Sequence, residues 1–156
     1  MRRKDREIKD FNNMLEILSA CDCCRLGLID NGLAYIVPLN FGYKETNGRL
    51  ELFFHGAAEG KKIELIKAQN TVSFEMDRKH QLLVGESPCS YSYLYQSIMG
   101  EGEIKLLNDF EEKTQGMDVI MSRFSDEQSW EYPRGMIEKM EVIKLAVTKW
   151  SCKENK

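Results

Sequence analysis

The sequence lacks the features that mark membrane, secreted and nucleic-acid-binding proteins. No apolar run approaches the roughly 20 residues that a membrane-spanning helix requires. The arginines of the opening segment, MRRKDREIKDF, are not followed by the apolar stretch of a signal peptide. The formal net charge is −3, which provides no broad basic surface for nucleic acid. We therefore expect a soluble, cytoplasmic protein that binds neither nucleic acid nor a membrane.

Internal repeats, low-complexity segments and linkers are absent as well. The chain has 156 residues, of which 42% are hydrophobic and 30% charged, an ordinary globular composition. We expect one domain over residues 1–156, in which residues 1–5 and 151–156 are frayed tails.

Cysteines are too few and too unevenly placed for a disulfide framework. There are five, an odd number, and three of them (Cys21, Cys23 and Cys24) form the string CDCC. Such a string can bind a metal, or it can supply small buried side chains where a strand begins. The spacing is tighter than in a usual zinc site, and no second Cys or His pair stands at a suitable distance. We favour buried thiols and expect no metal.

Hydrophobic spacing predicts three helices and six strands. The helices cover residues 6–20 and 59–69 and a third segment that begins at the capping box of Asp109 and Glu112. The strands begin at Cys24 and then cover residues 33–43, 49–55, 71–77, 91–107 and 136–149, with residues 78–90 as a loop. Hairpin turns are predicted at Asn31-Gly32 and Asn47-Gly48. Hairpins without regular β-α-β alternation favour an α+β fold. The simplest such arrangement is a small closed barrel with peripheral helices.

The first long strand has two different faces. Its odd positions, from Tyr35 to Tyr43, are large and mostly apolar, whereas its even positions, from Ala34 to Gly42, are mostly small or polar. Successive side chains of a strand point to opposite faces. We therefore expect one face to pack on the core and the other to leave room for a flat, partly polar ligand.

The string EGKK, which ends at Lys62, predicts an anion site. It opens a predicted helix, whose first N–H groups lack partners and carry the positive end of the helix dipole. Gly60 permits a close approach to the backbone, and Lys61 and Lys62 add positive charge. The alternative is that both lysines are solvated and pair with the flanking glutamates. Because the string directly follows a predicted strand, we favour phosphate binding.

Three strings, in this order, resemble the FMN-binding split-barrel superfamily of pyridoxamine 5′-phosphate oxidase-like proteins. They are PLNFGY (38–43), FFHGAAEGKKIELIKAQNTVSFEMD (53–77) and CSYSYLYQSIMGEG (89–102). Within that superfamily the sequence is most similar to the nitroimidazole-resistance branch, whose members resemble 5-nitroimidazole reductases. The resemblance implies a six-stranded antiparallel Greek-key split β-barrel with peripheral helices. It also implies a homodimer with FMN in clefts at the dimer interface.

The resemblance implies which residues contact FMN. The Val37–Asn40 strand would meet the ring, the Phe54–Gly56 segment would lie beside the ring and ribityl chain, and the lysines would hold the phosphate. The predicted cofactor-binding residues are Val37, Pro38, Leu39, Asn40, Phe54, His55, Gly56, Gly60, Lys61, Lys62, Gln96 and Ser97. His55 is the predicted catalytic residue, placed to pass a proton. Gln96 and Ser97 have an alternative role as satisfied strand residues, and His55 as a structural histidine bonded to backbone.

We therefore predict an FMN-dependent oxidoreductase that reduces or oxidises a small aromatic or nitro-substituted molecule. The oxidase branch carries Ser-Arg-Lys where this chain has Gly60-Lys61-Lys62, which argues against oxidation of pyridoxamine phosphate itself. No GxGxxG motif is present, so a nicotinamide donor would bind transiently at the flavin rather than in its own domain. The alternative is a non-catalytic carrier or sensor of the same fold that holds flavin or haem.

Overall fold

The computed structural model of the chain describes residues 3–127 and 129–156. Among these residues there are eight strands and four α-helices. The strands are β1 (Glu7–Ile8), β2 (Cys24–Asp30), β3 (Leu33–Leu39), β4 (Gly42–Thr46), β5 (Arg49–Ala57), β6 (Thr71–Leu83), β7 (Ser92–Leu106) and β8 (Met140–Asn155). The helices are α1 (Phe11–Ser19), α2 (Lys61–Ala68), α3 (Phe110–Met121) and α4 (Arg134–Ile137). None of the described helices is long and apolar enough to cross a membrane.

The strands form one antiparallel sheet whose two edges are joined by a very short link. The order is β3-β2-β6-β7-β8-β5-β4, and β1 pairs with β8. β3 and β4 lie at the two ends of this order, yet only Asn40 and Phe41 separate them in sequence. Because so short a link spans at most about 11 Å, the sheet must curve until its edge strands meet near Phe41. The result is the antiparallel α+β barrel, split along one side, that the sequence predicted.

Local turn chemistry is confirmed at both predicted hairpins. Asn31 and Gly32 have φ values of 48° and 83°, and Asn47 and Gly48 have 54° and 80°. Positive φ at both central residues matches the right-handed twist of the flanking strands. These two turns therefore set the registers in which β2 pairs with β3 and β4 with β5.

Two hydrophobic cores support the sheet. The larger core fills the curved sheet and receives three buried side chains from α1 (Met14, Ile17, Leu18) and three from α2 (Ile63, Leu65, Ile66). The smaller core lies between α3 and the outer face of β5 and β8, and it contains Phe53, Leu107, Met117, Ile120, Ile137 and Val142. Gly116 lets α3 pack closely, because a Cβ there would lie 2.7 Å from Cγ1 of Val142. The helices thus cover both faces of the β5–β8 region.

The smaller core corrects one expectation about strand faces. Helix α3 covers the outer face of β5 and buries Phe53 there. Gly42 was expected on the face left free for a ligand, but a Cβ there would collide with the backbone of Val119 and Ile120. A pattern of alternation identifies the two faces of a strand, and it does not show that a distant helix covers the second one.

The boundaries of several predicted elements are wrong. The strand predicted over 33–43 is broken at Asn40 and Phe41, and β1 was not predicted, so the structure has eight strands instead of six. The predicted loop 78–90 is strand as far as Leu83, because these polar residues pair with β7 through a bulge at Lys79, where φ is 66°. The β7–β8 ladder has a further register shift between Glu101 and Gly102.

The C-terminal residues are ordered, contrary to expectation. Residues 151–155 belong to β8, which pairs with β7 on one side and β1 on the other. Cys152 and Glu154 point inward and are buried. Of the expected N-terminal tail, residues 4 and 5 lie in a 3-10 turn, and residues 1 and 2 lie outside the described residues. Paired backbone on both sides therefore stabilises a segment whose polar composition resembles a tail.

The cysteines agree with the expectation of buried thiols. Cys21, Cys24 and Cys152 are buried, Cys23 is half-buried and Cys89 is exposed, and all five are free. Burial raises the pKa of Cys21 to about 11 and that of Cys152 to about 12, and it raises the pKa of Cys24 well above its usual value. Among the described residues, no three His, Cys, Asp or Glu side chains are grouped to hold a metal ion.

We expect the thiols to divide into two reactivity classes. In the native protein at pH 8, a disulfide reagent such as DTNB should modify Cys89 first and Cys23 next. Cys21, Cys24 and Cys152 should react only after unfolding, because a buried thiol with a raised pKa forms little thiolate at that pH. Time-resolved titration in the presence and absence of denaturant measures both classes. Three or more rapidly reacting thiols in the native state would contradict this description, and Cys89→Ser should remove the fastest phase.

One arginine ties the barrel corner to two helices. The guanidinium of Arg123, just after α3, lies 4.2 Å from the ring centroid of Phe41. Its Nη2 donates to the carbonyls of Ser19, at 3.0 Å, and Cys21, at 2.7 Å, at the end of α1. Burial lowers the pKa of this group, yet the contacts keep it in place. Arg123 therefore holds α1, α3 and the β3–β4 corner together.

Replacing Arg123 by Ala should lower the free energy of unfolding by about 2–3 kcal/mol. The substitution removes the cation–π contact and leaves two carbonyls without their donor. The matched control is Arg49→Ala, at an exposed position at the start of β5, which should change stability by less than about 0.5 kcal/mol. Urea denaturation of both variants measures the difference. Equal stabilities would show that the Arg123 contacts contribute nothing net.

Candidate functional site

The end of β5 and the start of α2 form the centre of the candidate site. β5 ends at Ala57 and α2 begins at Lys61, so the connecting turn brings His55 and Gly56 close to the N-terminus of the helix. A Cβ on Gly56 would lie 2.6 Å from Nζ of Lys62. The ammonium group of Lys62 therefore lies close to the backbone of Gly56.

The N-terminus of α2 presents free backbone donors. Gly60 is the N-cap residue, with φ 119° and ψ 166° and no side-chain cap. Its carbonyl accepts from the N–H groups of Ile63, at 2.9 Å, and Glu64, at 3.2 Å. No partner for the N–H groups of Lys61 and Lys62 is found within residues 3–127 and 129–156. A Cβ on Gly60 would meet nothing within 4 Å, so the space beside the N-cap residue is open.

The two lysines of the string differ in their surroundings. Lys61 pairs with Oδ1 of Asp30 at 2.8 Å, and this hydrogen bond raises its pKa. The flanking glutamates were the expected alternative partners, and no signal in the sequence indicates Asp30 beyond its place before a turn. Lys62 is half-buried, has no ion-pair partner in the described part of the chain, and its pKa is lowered by burial. Lys62 is therefore the cation that gains most from a bound anion.

These groups fit a phosphate. Two free N–H groups at a helix N-terminus, the positive end of the helix dipole and an unpaired ammonium group all favour a dianion. The glycine at the N-cap leaves room for its oxygens. The predicted anion site is thus a physically consistent binding site, with Lys62 rather than Lys61 as its main charge.

β3 presents an open surface and an unpaired edge. Ala34, Ile36, Pro38 and Asn40 are exposed, whereas Val37 and Leu39 are half-buried and pack against the larger core. Within the described part of the chain β3 pairs only with β2, so the backbone of its other edge is available for hydrogen bonds. Beside Ile36 lies Gly27, which has no side chain. The open face expected for residues 34–40 is therefore present.

The hairpin that begins β3 lies against the start of α2, because its residue Asp30 pairs with Lys61. At the other end of β3, Asn40 precedes Phe41 in the link to β4. His55 lies on the α2 side of the site, because the Lys62 ammonium group reaches the backbone of Gly56, the residue after His55. A ligand held at the α2 N-terminus can therefore also reach His55.

Phe54 and His55 offer different groups to a ligand. The side chain of Phe54 is fully buried in the larger core, so only its backbone can face a ligand. The side chain of His55 is exposed. Its partner in the ladder is Val142 of β8, and the next residue along β5 is Gly56. An exposed imidazole at this position can exchange a proton with a ligand bound along β3.

Gln96 and Ser97 lie away from this cluster. Gln96 is paired with Glu154, near the end of β8, whereas His55 is paired with Val142, near its start. The separation along β8 is as much as about 40 Å, too far for one flavin-sized ligand in a single copy of the chain. The amide of Gln96 is also engaged within the chain, since it accepts from Arg78 at 3.2 Å and donates to Glu154 at 2.8 Å. Ser97, on the opposite face, remains partly accessible.

A cleft of about 520 Å³ on the outer face of the sheet contains none of the predicted site residues. It is lined by Glu51, Asn70, Thr71, Glu103, Ile104, Lys105, Lys144 and Ala146. Its central charges neutralise one another, since Lys144 pairs with Glu51. We place the candidate site at β3, β5 and α2 instead, because unpaired donors and an unpaired cation occur there.

Comparison with known proteins agrees with the geometry. The family model described as pyridoxamine 5′-phosphate oxidase matches residues 11–154. A candidate 5-nitroimidazole antibiotic resistance protein from Bacteroides thetaiotaomicron is 31% identical, with 95% of this chain and 86% of that chain covered and a TM-score of 0.82. No curated protein matches the chain.

Two more distant structures share the fold. The flavocytochrome Anf3 from Azotobacter vinelandii has 19% identity and a TM-score of 0.83, with 100% of this chain and 72% of that chain covered. An FAD- and haem-binding protein from Mycobacterium smegmatis has 18% identity and a TM-score of 0.84, with 97% and 74% covered. Together with the split barrel and the match over most of its length, these findings show that the chain belongs to the pyridoxamine 5′-phosphate oxidase family.

Proposed function

We propose that this protein binds FMN along β3 and uses it to transfer electrons to or from a small aromatic or nitro-substituted molecule. The observation that carries the proposal is that the exposed His55 lies at the end of β5 beside a phosphate-sized cradle at the α2 N-terminus, and that Lys61 joins this cradle to the β2–β3 hairpin. The similar proteins include a flavocytochrome, an FAD- and haem-binding protein and a candidate nitroimidazole resistance protein, which supports a flavin here. The flavin itself would supply the redox chemistry.

The chain's own residues would bind and orient the flavin and supply a proton to the product. Lys62 and the N–H groups of Lys61 and Lys62 would hold the phosphate, since these donors have no other partner among the described residues. The backbone edge of Val37–Asn40 and the amide of Asn40 offer both donors and acceptors to the polar edge of the ring. His55 would pass a proton to the reduced product. Val37 and Leu39, which are half-buried, would exclude water from the side of the ligand that faces the core.

A homodimer would complete the site. Gln96 and Ser97 cannot reach the Lys62 cluster within one copy, so a contribution from them requires a second copy. The outer face of the sheet supports an interface, because Ile29, Ile36 and Met99 are 55%, 56% and 60% exposed there. Exposed apolar side chains grouped on one surface are typical of a protein-binding face. Of Gln96 and Ser97, Ser97 has the side chain that is freer to contact a second copy.

The test of the function is spectroscopic. The purified protein should carry, or take up on reconstitution, a flavin that absorbs near ~450 nm, and mass spectrometry of the released molecule identifies it as FMN or FAD. Under anaerobic conditions a nicotinamide donor should bleach this band, and a nitroimidazole should restore it. A band that no donor bleaches would indicate a carrier, and a haem spectrum a haem protein. A colourless protein that takes up no flavin would overturn the proposal.

Lys62 and Lys61 should differ in their effect on FMN binding. Lys62→Ala should weaken FMN by at least about tenfold, because it removes the unpaired ammonium group. Lys61→Ala should weaken it by about threefold or less, because Asp30 already neutralises that charge. Lys67→Ala, in the last turn of α2, is the matched control and should have no effect. Quenching of flavin fluorescence on titration measures all three, and equal losses for Lys61 and Lys62 would contradict the assignment.

A further inference from the structure

Lys113 of α3 is a buried lysine that the proposed function does not use. Only 9% of it is exposed. Its Nζ donates to the carbonyl of Met140 at 2.7 Å and lies 3.2 Å from Oε2 of Glu141. Burying an ion pair costs desolvation energy, and apolar residues of similar volume often stabilise a fold as well or better. Stability alone therefore gives no reason for a lysine at this position.

The partner of Lys113 lies across the ladder from the candidate phosphate site. Glu141 is the register partner of Gly56 in the β5–β8 pair. Side chains of paired residues lie on the same face of a sheet, with Cβ positions about 5 Å apart. A Cβ on Gly56 would lie 2.6 Å from Nζ of Lys62. Glu141 and Lys62 thus extend over the same face, close enough for the carboxylate to reach the ammonium group by rotating its side chain.

In the structure the carboxylate of Glu141 is held by Lys113 instead. Lys62 has no ion pair within residues 3–127 and 129–156, although Glu141 lies on the neighbouring strand β8. The competition between two lysines for one carboxylate decides whether Lys62 is free. Without Lys113, Glu141 would have its best remaining cation in Lys62, because both are partly removed from water.

We propose that Lys113 is a positioning residue that holds Glu141 away from Lys62 and so keeps the Lys62 ammonium group free for the phosphate of the flavin. This inference rests on the proposed function for the identity of the ligand. The rearrangement itself, however, involves only residues of this chain. Lys113 also anchors the Met140 carbonyl at the start of β8, which pairs with the end of β5.

The first test is a pair of variants and their combination. Lys113→Met, which keeps the length of the side chain, should weaken FMN binding by at least about tenfold. Adding Glu141→Gln to it should restore affinity to within about threefold of the unmodified protein, because an amide does not neutralise Lys62. Glu141→Gln alone should leave affinity unchanged or slightly higher. Lys105→Met, an exposed lysine before α3, is the matched control.

A merely structural role would give a different pattern. If Lys113 only supported the fold, the double variant would bind FMN no better than Lys113→Met, and that result overturns the proposal. Unchanged affinity in Lys113→Met also overturns it. Unfolding temperatures of all variants are measured in parallel. Should Lys113→Met fail to fold, Lys113→Gln keeps a donor for Met140 but no charge for Glu141, and it should show the same loss and the same rescue.

The second test needs no flavin. Brief acetylation of the apo protein with acetic anhydride, followed by peptide mass spectrometry, reports the reactivity of each lysine. Lys62 should react more slowly in Lys113→Met than in the unmodified protein, since an ion pair with Glu141 protects the amine, and Glu141→Gln should reverse this. No change at Lys62 overturns the proposal even if FMN binds. Reduced labelling in a protein that binds no flavin would support the rearrangement and reject the proposed function separately.

Discussion

The two-residue link between β3 and β4 is the constraint on which the rest of this structure depends. Asn40 and Phe41 connect the two edge strands of a seven-strand path, so the sheet cannot stay open. Phe41 is buried at this corner, and the guanidinium of Arg123 covers its ring. The link leaves Asn40 exposed at one end of β3, while Asp30, just before the other end, pairs with Lys61.

Charge at the candidate site is organised by burial and competition rather than by the number of lysines. Lys61 and Lys62 are neighbours in sequence, but successive helix positions point about 100° apart. One reaches Asp30 on the β2–β3 hairpin, and the other lies over Gly56 with no partner among the described residues. A half-buried ammonium group without an anion is costly. The same cost that makes Lys62 unfavourable in the free protein makes it effective toward a phosphate.

Helix α3 connects the fold to this site. It covers Phe53 and Val142 on the outer face of the sheet, and Gly116 allows the close contact. From the same helix, Lys113 reaches the first two residues of β8. Those residues pair with Gly56 and Ala57, which lead into the turn before α2. The packing of α3 is therefore linked, through Lys113, to the end of β5 beside which Lys62 lies.

The sequence by itself determined the features that depend on neighbouring residues. Both Asn-Gly turns and the cap of α3 by Asp109 are as predicted, and α2 lies within the predicted range 59–69 but begins at Lys61. Each follows from backbone geometry and local periodicity, which a single sequence displays. The family resemblance, read from three strings in order, supplied the barrel.

Only the tertiary structure decided which groups pair and which faces are covered. Three features join segments that are far apart in sequence. Helix α3 covers Phe53, and Asp30 pairs with Lys61. Residues Arg78–Leu83 and the C-terminal residues form strands because they pair with β7. Burial and ion pairing depend on which other segments of the chain pack at the same place, and no local sequence pattern encodes that. Two adjacent lysines therefore look alike in the sequence, and the fold makes one of them a structural partner and leaves the other free.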